Sequence, residues 1–330
     1  MRRRGRVLRV SGLVLVIAVS GTASAYFARQ EHDDLAIAAI TASAGTVVSH
    51  GSYRYERLAD PPRTVVATGG GAVVATLTDG ARTVVLSGPA RTFSDPKQTS
   101  ATVTTTAWVR LAPQAWTAGA EHAAWFGPWL ASVVGSTTPD VLAVAMQYLP
   151  DAPSVMDNGL HVAGDASFGP GADFERYLGI GWRFPDDVRV KPDPKHTGAL
   201  DSSGYVRMVY GYREGYPLLG RDDGGAGLPP DAPAMAESGP GTVIVPDTGQ
   251  RATDYSRLQP GDLLFFALSQ NLGEQVTQVG IYLGIDSAGH RRVLSCRASA
   301  DGPTFGDAGG GSFIDGDGKY ARAFRAAKRL

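Results

Sequence analysis

The chain has 330 residues, enough for two domains or one large one. Hydrophobic residues make up 43% and charged residues 19%, which supports a buried core and excludes wholesale disorder. Lys+Arg 31 against Asp+Glu 32 leaves a net charge of -1, which argues against a protein held by nucleic-acid phosphates, and a single cysteine excludes an intrachain disulfide, a Cys-rich zinc site and an iron–sulfur cluster.

Residues 1–9 carry five arginines and no acid, residues 10–19 are mostly apolar, and Thr22-Ala23-Ser24-Ala25 ends in Ala-x-Ala form. That order is the signature of a secretory signal peptide over residues 1–25, with cleavage expected after Ala25. The alternative is an uncleaved anchor, since residues 10–28 hold no full charge before Arg29 and are just long enough to span a bilayer. No cysteine stands near the cleavage point, so a lipid-anchored lipoprotein is excluded. The expected location is extracellular, with membrane attachment only if the leader stays on.

Residues 26–60 read as a helical and linker segment, with a short amphipathic helix at 33–43 whose acidic start suits the helix dipole. From residue 61 the texture becomes Val- and Thr-rich. Segments 64–67, 73–78, 83–86 and 102–111 predict strands, separated by turns such as Gly69-Gly70-Gly71 and Asp79-Gly80. Residues 61–150 are therefore expected to be a small β-rich module with helices. Within it Trp116, Trp125 and Trp129 fit core filling, with a sugar-stacking platform as the alternative. A helix is predicted at 141–148, opened by Thr138-Pro139-Asp140. Residues 151–172, rich in Pro, Gly and Asp, are expected to be a linker. Beyond them, helices at 173–178 and 201–212 and strands at 262–267, 276–283 and 292–296 predict an α+β domain over 173–330.

Three segments of that second half stand in fixed order: Asp201-Ser202-Ser203-Gly204-Tyr205-Val206, then Leu258-Gln259-Pro260-Gly261-Asp262-Leu263-Leu264-Phe265-Phe266, then Val276-Thr277-Gln278-Val279-Gly280-Ile281-Tyr282-Leu283-Gly284. Together they resemble the NlpC-type cell-wall peptidases, a branch of the papain-like fold. Tyr177-Leu178-Gly179-Ile180-Gly181-Trp182 is similar to that family's entry to its substrate-binding loop. The resemblance covers residues 173–330. It implies a helix bearing the nucleophile position packed on an antiparallel sheet, and action on the stem peptides of peptidoglycan.

The family reads Asp-Cys-Ser-Gly at the first segment, with the cysteine as nucleophile, and a histidine before Val-Gly at the third, as base. Here Ser202 occupies the cysteine position and Gln278 the histidine position, and the orienting position falls at Ser295. The Gly-Gly usual after Trp182 is replaced by Arg183-Phe184-Pro185-Asp186. By the same resemblance Trp182, Asp201 and Ser203 would contact substrate. A thiolate is made accessible by a helix N-terminus and a neighbouring imidazolium, whereas a serine hydroxyl needs a base to remove its proton as it attacks. Glutamine is no such base, because its amide neither takes a proton near neutral pH nor returns one. The expectation is a catalytically inactive pseudoenzyme that binds peptidoglycan peptides or a wall partner. Two alternatives stand: an active endopeptidase or amidase using Ser202 with another base, and a structural adaptor for a second secreted protein.

Among other candidate groups, His196 lies six residues before Ser202 and His290 sits in a turn between strands. Each fits an ordinary loop residue, with His196 the alternative base. Cys296 is one position from Ser295, and strand alternation turns it to the opposite face as an inert buried thiol. Asp315-x-Asp317 lacks the distal glutamate of a calcium loop and reads as a polar turn, so no metal site is supported. No cofactor is called for. The basic stretch 321–330 is expected to be a solvated end, with weak attraction to anionic wall polymers as its possible use.

Overall fold

The structure, a computed structural model, describes residues 47–50, 52–222, 224–269 and 275–330. The export segment and the helix expected at 33–43 lie outside the described residues. The Val- and Thr-rich stretch forms β1 (Val47–His50), β2 (Tyr53–Ala59), β3 (Pro62–Thr68), β4 (Val73–Thr78), β5 (Thr83–Ser94) and β6 (Thr102–Leu111). Each pairs antiparallel with the next in chain order. Alternation along these strands places Tyr55, Val66, Leu77 and Trp108 in one cluster with Trp116 and Phe126. Trp116 is fully buried there, and Trp125 and Trp129 pack against the same cluster.

Two helices follow, α1 (Phe126–Val133) and α2 (Val141–Met146). Asp140 caps α2 by accepting from Ala143 N at 3.0 Å. The same carboxylate takes a bidentate pair from Arg91 at 2.7 and 2.6 Å and the N–H of Val109 at 2.6 Å, which pins α2 to β5 and β6. The expected linker at 151–172 is surface chain only in its first half, where β7 (Val155–Asp157) is exposed and pairs in a hairpin with β8 (Leu160–Ala163); β9 (Ser167–Phe168) follows, and from Val162 on the stretch is packed, with Val162, Ala163, Ala166 and Ala172 buried. Its Pro, Gly and Asp residues supply turns between buried positions, so composition alone misreads it.

Next come α3 (Phe174–Leu178), a small hairpin of β10 (Trp182–Arg183) and β11 (Arg189–Val190), and β12 (Ala199–Leu200), parallel to β9. The helix predicted at 201–212 is α4 (Ser202–Val206), which continues as a π-helix over Arg207–Arg213. After α5 (Ala232–Glu237) the chain lays down β13 (Thr242–Val245), β14 (Leu263–Phe266), β15 (Gln278–Ile285), β16 (Arg291–Arg297) and β17 (Gly302–Thr304), then α6 (Lys319–Ala323) and β18 (Phe324–Arg329). These strands form a second six-stranded sheet, ordered β13-β18-β14-β15-β16-β17 and antiparallel throughout. The fold is mixed α+β with more strand than helix.

In β14 the period of two is explicit. Leu263 and Phe265 join the core under α4, while Leu264 and Phe266 join a cluster on the other face with Phe324 and Tyr320. The α4-side core also takes Val103 and Val109 of β6 and Val141 of α2. The described residues accordingly fall in one compact unit. The basic C-terminal stretch is not a solvated end. β18 lies inside the second sheet with Arg325, Lys328 and Arg329 buried. Arg329 forms a bidentate pair with Asp262 at 2.7 and 2.9 Å, and Lys328 Nζ donates to Met235 O at 3.0 Å and Gly239 O at 2.9 Å. Lys328 and Arg329 thus carry their own acceptors into the interior, which makes their burial tolerable.

Candidate functional site

The first turn of α4 is set by Asp201. Its Oδ1 accepts from Gly204 N at 2.7 Å and from Ser203 Oγ at 2.9 Å. Gly204 must be glycine: a Cβ there would lie 2.1 Å from Ala172 O, so the helix start presses directly on the backbone leading into α3. Gly261, in the turn before β14, has φ 93 and supplies the left-handed residue that the Pro-Gly-Asp turn needs. The ladder between β15 and β16 runs from Ile285↔Arg291 to Ile281↔Leu294, and past that point side chains take over. Val279 N donates to Ser202 Oγ at 3.4 Å, and Val279 O accepts from Ser295 Oγ at 2.7 Å.

Ser202, Gln278 and Ser295 therefore meet where the two strands part. Gln278 Nε2 donates to Ser295 Oγ at 2.9 Å and to Tyr320 OH at 3.1 Å, with Cys296 O farther off at 3.4 Å. The single hydrogen of Ser295 is already committed to Val279 O, so toward Gln278 its oxygen only accepts, and this fixes which end of the amide faces it. Ser295 is fully buried and Tyr320 nearly so, while Ser202 and Gln278 are half-buried. The Arg297 guanidinium stacks 4.0 Å from the centre of the Tyr320 ring and holds it in place.

Among the described residues no imidazole hydrogen-bonds Ser202. His196 Nδ1 meets Asp193 Oδ2 at 2.6 Å, the His290 ring stacks on Phe313 at 4.5 Å, and His161 stacks on Tyr177 at 5.8 Å. Cys296 is buried with its Sγ donating to Leu200 O at 3.0 Å, and burial pushes its thiol well above the ordinary range. Asp315 accepts from Arg291 N at 3.1 Å and lies beside His290, whereas Asp317 points outward. Among the described residues no group of three or more His, Cys, Asp or Glu side chains is placed to hold a metal ion.

The three residues singled out for substrate contact separate. Asp201 and Ser203 bond to each other and line a cavity of about 280 Å³, together with Asp173, Glu175, Arg207 and Asp231. Trp182 does not line it; its ring packs edge-on against Phe174 at 5.1 Å and Tyr212 at 6.0 Å. In the cavity wall Arg207 Nε donates to Asp173 Oδ2 at 2.8 Å, and its Nη1 donates to Leu219 O and Leu228 O. Burial lifts the Asp173 carboxyl to about 7 against the pull of Arg207, and it raises Glu175 and Asp201 as well. This chain matches no protein-family model and no curated protein sequence.

Sequence reasoning missed Tyr320 and the acidic cavity. Tyr320 sits beside a basic stretch that read as solvated, and nothing local marks it. The cavity did leave a trace: two acids at a helix start, Asp173 and Glu175, and an arginine one turn past Ser203.

Proposed function

We propose that the protein is an exported, cell-wall-associated relative of the NlpC-type peptidases that binds peptidoglycan peptides and does not cut them. The observation that carries this reading is the hydrogen-bond inventory around Ser202. Its oxygen accepts from Val279 N, and the amide of Gln278 spends its hydrogens on Ser295 and Tyr320. Neither neighbour takes a proton at neutral pH, so the hydroxyl has no route to an alkoxide and the leaving amine has no donor. The scaffold features that resemble the family, the capped helix start and the Pro-Gly-Asp turn before β14, support descent from a cutting enzyme.

Binding without turnover is tested by incubating the purified protein with peptidoglycan sacculi. The expected result is co-sedimentation with the sacculi and no released peptide fragments by mass spectrometry. Fragment release that disappears in Ser202→Ala would overturn the reading.

A further inference from the structure

The two altered positions are not merely vacated by chemistry; they keep complementary hydrogen-bonding groups. Ser202 Oγ accepts from Val279 N, and among the described residues its own hydrogen has no acceptor. Gln278 presents the converse. With both Nε2 hydrogens engaged by Ser295 Oγ and Tyr320 OH, its Oε1 faces away from them, and among the described residues it accepts nothing. That oxygen belongs to a half-buried side chain and is not sealed in the interior. Val279 N is covalently bonded to the Gln278 carbonyl carbon, so the donor on Ser202 lies within one peptide unit of Gln278.

A half-buried donor and a half-buried acceptor, each without a partner among the described residues, match the C=O and N–H that one residue of an extended peptide turns to the same side. Building on the proposed binding of peptidoglycan peptides, we propose that Ser202 and Gln278 form an amide clamp. The Ser202 O–H donates to the carbonyl oxygen of one residue of an intact peptide, and Gln278 Oε1 accepts the N–H of that same residue, the two groups belonging to consecutive peptide bonds. No covalent step occurs. The buried Ser295 and Tyr320 act as positioning residues, because their oxygens hold the carboxamide in the one orientation that presents Oε1. A histidine at 278 would offer a ring nitrogen there in only one tautomer, whereas the glutamine offers an acceptor at every pH at which the wall is exposed.

The test compares synthetic L-alanyl-γ-D-glutamyl-L-lysine with analogues in which each amide N–H is replaced in turn by an ester oxygen, using calorimetric titration of the full chain. One ester should bind about five- to tenfold more weakly, the effect of a lost hydrogen bond plus the facing of two acceptors. In Gln278→Leu that preference should vanish, while Ser202→Ala should weaken amide and ester alike, because both retain the carbonyl. Thermal melts show whether the variants fold. If Gln278→Leu does not, the comparison of amide with ester on the unaltered protein decides alone. Equal binding of the peptide and every ester would overturn the clamp and leave peptide binding standing. Failure of the unaltered protein to bind any of these peptides would overturn both.

Discussion

At the scale of single residues, and on the proposed reading, the site differs from a working nucleophile–base pair by very few atoms. Ser295 Oγ accepts the Gln278 Nε2 hydrogen at 2.9 Å and is itself held by Val279 O. The same oxygen would accept an imidazole N–H at position 278, fixing the tautomer and leaving the second ring nitrogen to act as base. A cysteine at 202 would lie at the start of α4, where the helix N-terminus favours a thiolate. The double change Ser202→Cys with Gln278→His is therefore expected to release fragments from peptidoglycan. Either single change should remain at background, at least about 100-fold lower, the least that a positioned base contributes. Silence of the double variant in a fragment-release assay, with binding retained, would mean that the nucleophile and base positions do not converge.

At the scale of elements, the helix start and its contact with the preceding backbone set the site. Gly204→Ala would drive a Cβ to 2.1 Å from Ala172 O and 2.7 Å from Asp173 Cα. Neither is the end of a flexible side chain, so α4 must shift. The expected loss is about 3 kcal/mol in urea denaturation, against about 1 kcal/mol for Ser203→Ala, which removes one hydrogen bond to Asp201. A Gly204→Ala protein as stable as the parent would show that the contact yields easily. Strands β4, β6 and β14 and the capped helices α2, α3 and α4 were legible because alternation and Asp caps are local signals. The Ser202–Gln278–Ser295 grouping was legible only through motif order, since no spacing rule brings residues 202, 278 and 295 together. Tyr320 was not legible at all. Its place depends on β18 returning to the interior of the sheet to pair with β14, far back along the chain, as in Leu263↔Lys328.

At the scale of the whole molecule, the charges that sequence reading assigned to water are partly inside. Arg329 is almost fully buried against Asp262, and its Nη1 reaches Thr78 Oγ1 at 2.6 Å, so one guanidinium ties β18 to both sheets. Composition could not reveal this, because a basic run looks the same whether its acceptors are water or buried carboxylates. Burial without full compensation has a consequence that pH exposes. Burial lifts Asp173 from 3.8 to about 7 and Glu214 from 4.5 to about 7, the latter despite the neighbouring Arg110 and Arg213. With the folded pKa above the unfolded one, the folded state holds more protons between roughly pH 4 and 7, and stability must fall as pH rises through that window. The slope is at most about 1.4 kcal/mol per pH unit for each group and flattens above both folded values. Urea midpoints measured from pH 4.5 upward should therefore decline to pH 7 and then level off. Glu214→Gln should remove a clear part of the decline, since the amide carries no proton to lose, and the remainder should come from the raised carboxyls around the cavity, Asp173 with Glu175 and Asp201. A midpoint that climbs across the same interval would place these carboxyls in water in the folded protein.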